Sequence, residues 1–285
     1  MASALIAAKS FIQSSSTRKV QISMFFGSDN FPEIVKRGQR LVEARYADAE
    51  ACFLCGSIIT GESTPDSDYD LVIVYRHLDH AFRESFVFEG RKIEAFVHDP
   101  ETLRWFFEKV DAASGVPSLP FMINQGLILK NHGGMADRIK TQAHNLLLMG
   151  PKPLSQKEID DRRYFISDLC DDLRTPRSFD ETIATAGKLY QELADFYLRS
   201  RGHWSAKGKS IPRVLKRVAP EFAYRFSEAF KLLYSSEMTY TVISLAEEIL
   251  RDHGGLLFDG YRREAPAKWR LKRSGLKKNA KKADV

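Results

Sequence analysis

Cysteine is scarce in this chain: Cys52, Cys55 and Cys170 are the only three in 285 residues. So few thiols build no disulfide framework and fit a reducing compartment, the cytoplasm. Cys52-Phe-Leu-Cys55 has C-x-x-C spacing, but it sits in an apolar run with no second Cys or His pair nearby. Buried strand thiols are expected there, not a redox or zinc site. Long hydrophobic runs are missing too. None approaches the roughly 18 residues that cross a bilayer, so no membrane partner is expected. No internal repeat appears, and His132, His203 and His253, which sit near glycines in loops, form no pair at metal-ligand spacing. Residues 1–28 contain no acid and are rich in serine, faintly like a transit peptide. A flexible or partly helical arm is the reading adopted.

Positive charge is missing from the body of the chain despite a net charge of +6. Residues 262–285 hold ten Lys/Arg against two acids, a balance of +8 that leaves −2 for everything before them. The basicity therefore belongs to an appendage, read as a solubilising tail. Nucleic acid is expected as a partner only through that tail.

What is present is ordinary for a globular protein, 44% apolar and 28% charged, with length enough for two cores. Residues 31–46 have helical spacing, with Asp29 or Asn30 as cap and Pro32 in the first turn. "ACFLCG" (51–56) and "YDLVIVY" (69–75) read as buried strands, and 84–90 with 91–99 as a hairpin about Gly90. Asp99 and Pro100 open a helix whose buried side is expected at Trp105, Phe106 and Val110. Helices are expected over 119–130 and 135–149. "GPKPLS" (150–155) reads as a linker, and after it the strand signal stops. Five helical segments follow, with Ser155, Ser178 and Ser210 at the starts of three. The expected fold class is α+β: a mixed sheet with helices over 29–150, then an all-α bundle over 155–261.

The chemistry lies in "GSIITGESTPDSDYDLVIV" (56–74). Asp68 and Asp70, at i and i+2 entering a strand, face the same way. Two carboxylates so close repel unless a cation joins them, and oxygen donors favour Mg²⁺. Gly56-Ser57, at the tip of the preceding strand, offers an anion a close backbone, an N–H and a hydroxyl. A cation beside such a cradle describes a nucleoside-triphosphate site. A third carboxylate is expected from a neighbouring strand, and Glu94 is the candidate, because an acid among apolar strand residues is costly unless partnered. Asp99 competes, but its Asp-Pro-Glu context already explains it as a helix cap.

These residues carry a resemblance. Gly-Ser, ten residues ending in Ser67, then Asp68-x-Asp70 flanked by apolar positions, with an acid on a later strand, resembles the signature of the DNA polymerase β-like nucleotidyltransferase superfamily. A following helical domain is similar to the small-molecule branch, typified by aminoglycoside nucleotidyltransferases. The resemblance implies that Asp68 and Asp70 bind Mg²⁺ and that Gly56, Ser57 and Ser67 hold the nucleotide. Glu94, where the superfamily more often has Asp, completes the metal site or takes the acceptor's proton. The reaction implied is transfer of a nucleotide, AMP from ATP, to a hydroxyl of a small molecule.

In the helical half, "LRSRGHWSAKGKS" (198–210) is read two ways. It either lays Lys209 on the phosphates and Trp204 against a base or acceptor, or is a plain interhelical turn. Lys188 and Glu192, one turn apart, resemble a pair that relatives use at the substrate, but a surface ion pair is the simpler reading. Asp160/Asp161 and Asp171/Asp172 are equally read as solvated acids. The alternatives are transfer to protein or RNA, and a non-catalytic nucleotide-binding regulator or toxin–antitoxin component.

Overall fold

The computed structural model describes residues 31–64 and 66–269; the expected N-terminal arm, the Asp29 or Asn30 cap and the tail from residue 270 lie outside them. Helix α1 (Phe31–Arg45) buries Ile34, Gly38, Leu41 and Val42 on one stripe. Strand β1 (Ala51–Cys55) is buried at every position, as expected of a central strand. A single turn of helix, α2 (Ser57–Thr60), and a loop lead to β2 (Tyr69–Val74). Strands β3 (Phe82–Phe88) and β4 (Arg91–His98) form the expected hairpin. Its turn residues, Glu89 and Gly90, have φ of 47° and 73°, the left-handed pair that matches strand twist.

Helix α3 (Pro100–Trp105) starts in a capping box: Asp99 Oδ1 accepts from Thr102 N at 2.8 Å, and the Thr102 hydroxyl accepts from Asp99 N at 3.0 Å. The buried side matches the expected one only at Phe106, which packs half-buried against the core. Trp105 and Val110 are 55% and 37% exposed, while Leu103, Phe107 and Asp111 are buried. Residues Phe106–Asp111 wind as a π-type turn, and the extra residue per turn rotates burial onto 103, 107 and 111.

A second correction concerns 119–130. Helix α4 (Ser118–Gln125) stops early, and Leu127–Asn131 forms β5, antiparallel to β1. At Gly126 a Cβ would lie 2.8 Å from both Cys55 Sγ and the Met122 carbonyl, so the chain can turn from helix to strand only with glycine there. Pairing with β5 also keeps β1 from ending the sheet as an open hydrophobic edge.

The mixed sheet has the order β3-β4-β2-β1-β5, with β2 and β4 parallel and the other neighbours antiparallel. One face packs on α1 through Cys52, Leu54, Leu71, Ile73, Ile93 and Ala95. The other packs through Phe53, Cys55, Val72 and Val74 on α3, α4 and α5 (Met135–Met149). Cys52 and Cys55 thus point to opposite faces, and all three thiols are free and buried.

The helices α6 (Gln156–Arg174), α7 (Phe179–Ser200), α8 (Ser210–Val218), α9 (Pro220–Ser236) and α10 (Thr239–Arg251) follow, as the periodicity predicts. The fold is α+β, a mixed sheet with helices and then helices alone. Ser155 caps α6 in a capping box with Glu158. Among the described residues two compact units result: one holds 31–153 with 194–227, the other 154–193 with 228–269. In the second, Arg163 donates to the carbonyls of Gly254 and Gly255 at 2.8 and 2.9 Å, tying the chain after α10 to α6. Among the described residues no helix is long and apolar enough to cross a membrane.

Candidate active site

Register creates the site. Asp70 on β2 lies opposite Cys55 on β1 and opposite Glu94 on β4, so the two acids share a face of the sheet. Asp68 enters from the loop two residues earlier. Each of the three offers a carboxylate oxygen, and these oxygens all lie within 4.8 Å of one another. Burial pushes Asp70 up to about 6, and the negative charges of Asp68 and Glu94 add to the shift. Lys209 and Arg83 pull the other way. Arg83, on β3, pairs with Glu94 and lies over the Phe96 ring at 4.9 Å.

Three mutually repelling carboxylates with all-oxygen donors fit a hard divalent cation: it would remove the repulsion that raises Asp70. The fit extends to Gly56. Its φ of 78° and ψ of −167° belong to a region only glycine adopts readily, and a Cβ there would run into the Asp70 carboxylate. The backbone at the end of β1 therefore approaches the acids as closely as it can. Ser57 donates from Oγ to Ser67 Oγ at 3.2 Å, and Ser67 Oγ in turn accepts from Thr64 N at 2.8 Å. The Asp loop is thereby tied to the Gly-Ser turn.

Gly56 and Ser57 also form part of the wall of a cavity of about 440 Å³ within the first unit. Its other walls come from α4, through Phe121 and Met122, and from Lys207, Arg213 and Arg217 around α8. Arg213 bonds Glu62 at 3.2 Å. The Arg217 guanidinium lies 4.7 Å over the Phe121 ring, and burial pulls its pKa down while Glu62 opposes that. Three cations against one acid leave this wall with a net positive charge.

The structure brings together Gly56, Ser57, Ser67, Asp68, Asp70 and Glu94, and the charge of Lys209 reaches Asp70. Other candidates are engaged elsewhere. Asp99 caps α3 and also accepts from Leu78 N at 3.1 Å. The Trp204 indole donates to the Leu147 carbonyl at 3.0 Å, closing the end of α5. Lys188 and Glu192 bond each other at 2.7 Å. Asp160 and Asp161 pair with Arg163 and Lys157. Arg213 and Arg217 escaped the sequence reading because cations on an amphipathic helix look like a solvated face. One signal was available: like charges at i, i+4 repel, so their presence asks for an anion.

No family model and no curated protein matches the chain. Among solved structures it is similar to a nucleotidyltransferase-like protein from Exiguobacterium sibiricum 255-15, with 12% sequence identity and a TM-score of 0.41 over 77% of this chain and 75% of that one. So slight a likeness leaves the functional reading to the residues themselves.

Proposed function

We propose that the protein is a Mg²⁺-dependent nucleotidyltransferase that moves AMP from ATP to a hydroxyl of a small molecule and releases pyrophosphate. One observation carries the reading: Gly56-Ser57 is shared between a three-carboxylate cluster and a cavity lined with cations. A triphosphate has to satisfy both, with one phosphate at the acids and a negative tail beyond it.

In this reading Asp68, Asp70 and Glu94 hold the metal, which when bound neutralises phosphate charge. The Ser57 hydroxyl and the backbone at Gly56 position the phosphates, and Lys209 adds charge beside Asp70. Lys207, Arg213 and Arg217 receive the negative tail. The acceptor oxygen forms a bond to the α-phosphorus, the bond from that phosphorus to the bridging oxygen breaks, and pyrophosphate leaves with the electron pair. The hydroxyl proton passes to Glu94 or to solvent. Positioning and fixed charge do the catalysis, as in phosphoryl transfer generally.

The test is calorimetric titration of Mg·ATP into the wild-type chain and into Asp68→Ala/Asp70→Ala. Metal-dependent binding should weaken by on the order of 10²-fold or more in the double variant. A folded wild type that binds none of the four nucleoside triphosphates overturns the proposal.

A further inference from the structure

On the acid-bearing face, the sheet continues past Glu94 to its edge strand. Ser85 of β3 stands opposite Glu94, Arg83 opposite Phe96, and Val87 opposite Lys92, so all six side chains share that face. Helices α3 to α5 pack this face over β1, β2 and β5, and none of the described helices packs it over β3. Arg83, Ser85, Val87 and Lys92 are exposed. The platform next to the carboxylates thus holds two cations, a hydroxyl and a small apolar side chain.

Its charge is of a particular kind. Lys92 pairs with no carboxylate among the described residues. Arg83 touches Glu94, and its stack on Phe96 orients the planar guanidinium independently of that contact. Were Glu94 to share a cation with Asp68 and Asp70, its contact with Arg83 would loosen, and the Phe96 ring would still hold the guanidinium with donors to spare. The two cations then face outward beside the reacting centre, on the side of the acids away from Gly56-Ser57.

We infer that this platform is the acceptor subsite and that it selects a small hydroxylated acceptor bearing its own anionic group, a phosphate or carboxylate, rather than a polycation. The inference rests on the nucleotidyltransferase reading and adds the charge class of the acceptor. Arg83 grips the anion in a fork, Lys92 adds a second charge, and Ser85 offers a hydrogen bond. A polycationic acceptor would meet like charge at both Arg83 and Lys92.

Equilibrium binding tests this on the full chain loaded with Mg²⁺ and α,β-methylene-ATP, whose α–β bond cannot be broken. Loading itself is measured first; a chain that does not load overturns the underlying reading, not the charge class. On the loaded chain, labelled glycerol phosphate and glycerate stand for small anionic acceptors, and kanamycin and a short oligoribonucleotide for the other classes. At least one small anion should bind. Lys92→Glu should weaken it about tenfold while nucleotide loading is kept, and Arg83→Gln should weaken it about tenfold when referred to the fraction of chain that loads. Kanamycin should not bind. The inference falls if kanamycin binds in place of the small anions, or if only the oligoribonucleotide binds. It also falls if the two variants bind the anions as well as the wild type. Absence of all binding on the loaded chain overturns it too, and leaves Arg83 and Lys92 as guards of an open sheet edge.

Discussion

The two units handle acidic residues in opposite ways. In the helical unit Asp160, Asp161 and Asp171 pair with Arg163, Lys157 and Arg174, each one turn away on the same helix. Partial burial opposes ionisation of Asp161, yet the Tyr261 hydroxyl and Lys157 hold it below the usual carboxylate range. In the sheet unit Asp68, Asp70 and Glu94 crowd together with one guanidinium in contact, and Asp70 is pushed up to about 6. Both regions look acidic in sequence. What marks a site is a cluster of carboxylates that the protein itself leaves largely uncompensated, and among the described residues such a three-acid cluster stands at Asp68, Asp70 and Glu94.

Glycine offers the sharpest way to test that contrast. Gly56→Ala should destabilise the chain by about 2 kcal/mol or more, since it adds backbone strain to a collision with Asp70. Nucleotide binding should be lost with it. Gly187→Ala, inside α7 with nothing near the position a Cβ would take, should instead stabilise by about 0.5–1 kcal/mol and leave binding alone. Thermal melts with and without Mg·ATP read both, and equal signs for the two would break the comparison.

Asp111 extends the contrast to an acid outside the cluster. It is buried, its Oδ2 accepts from Leu119 N at 3.0 Å, and burial pushes it up to about 6 despite that bond and Lys207. The native state therefore holds this proton more tightly than the unfolded chain, so stability falls as pH rises from about 4 to about 6 and then levels. Asp111→Asn keeps an acceptor for Leu119 and should remove that part of the slope, a difference of a few degrees in melting temperature across the window. Identical pH profiles for the two proteins would return Asp111 to the class of ordinary acids.

The smallest effect belongs to the helical unit. Lys188→Ala removes a half-exposed i, i+4 pair in its weaker order and should cost at most about 0.5 kcal/mol. Denaturant midpoints detect it, and Mg·ATP binding should not move.

Much of this was legible beforehand because it rests on local patterns. The continuous apolar run of β1, the Gly90 turn and the caps at Asp99 and Ser155 are short-range signals. The i, i+2 acids and the isolated Glu94 gave the cluster, since strand periodicity alone decides which side chains share a face. Strand β5 was not legible: "LILKN" follows a helical stretch, and only the open flank of β1 makes it a strand. The π-type turn at 106–111 was hidden for a similar reason, because it changes the period on which a helical reading relies. Arg213 and Arg217 become a cavity wall only through packing against α4; their i, i+4 spacing marks like charge on one face but not the cavity it faces.

The burial of the thiols has a use unconnected with catalysis. Burial pushes Cys52 and Cys170 up to about 12 and Cys55 higher still, so none is a ready nucleophile in the folded chain near neutral pH. Two of these dormant sulfurs sit on opposite faces of the sheet, and the third sits in the helical unit. An alkylating reagent can reach each only when its own surroundings open. The molecule is thus born with three reporters of its own breathing, already distributed between the two regions whose stabilities one would wish to time apart.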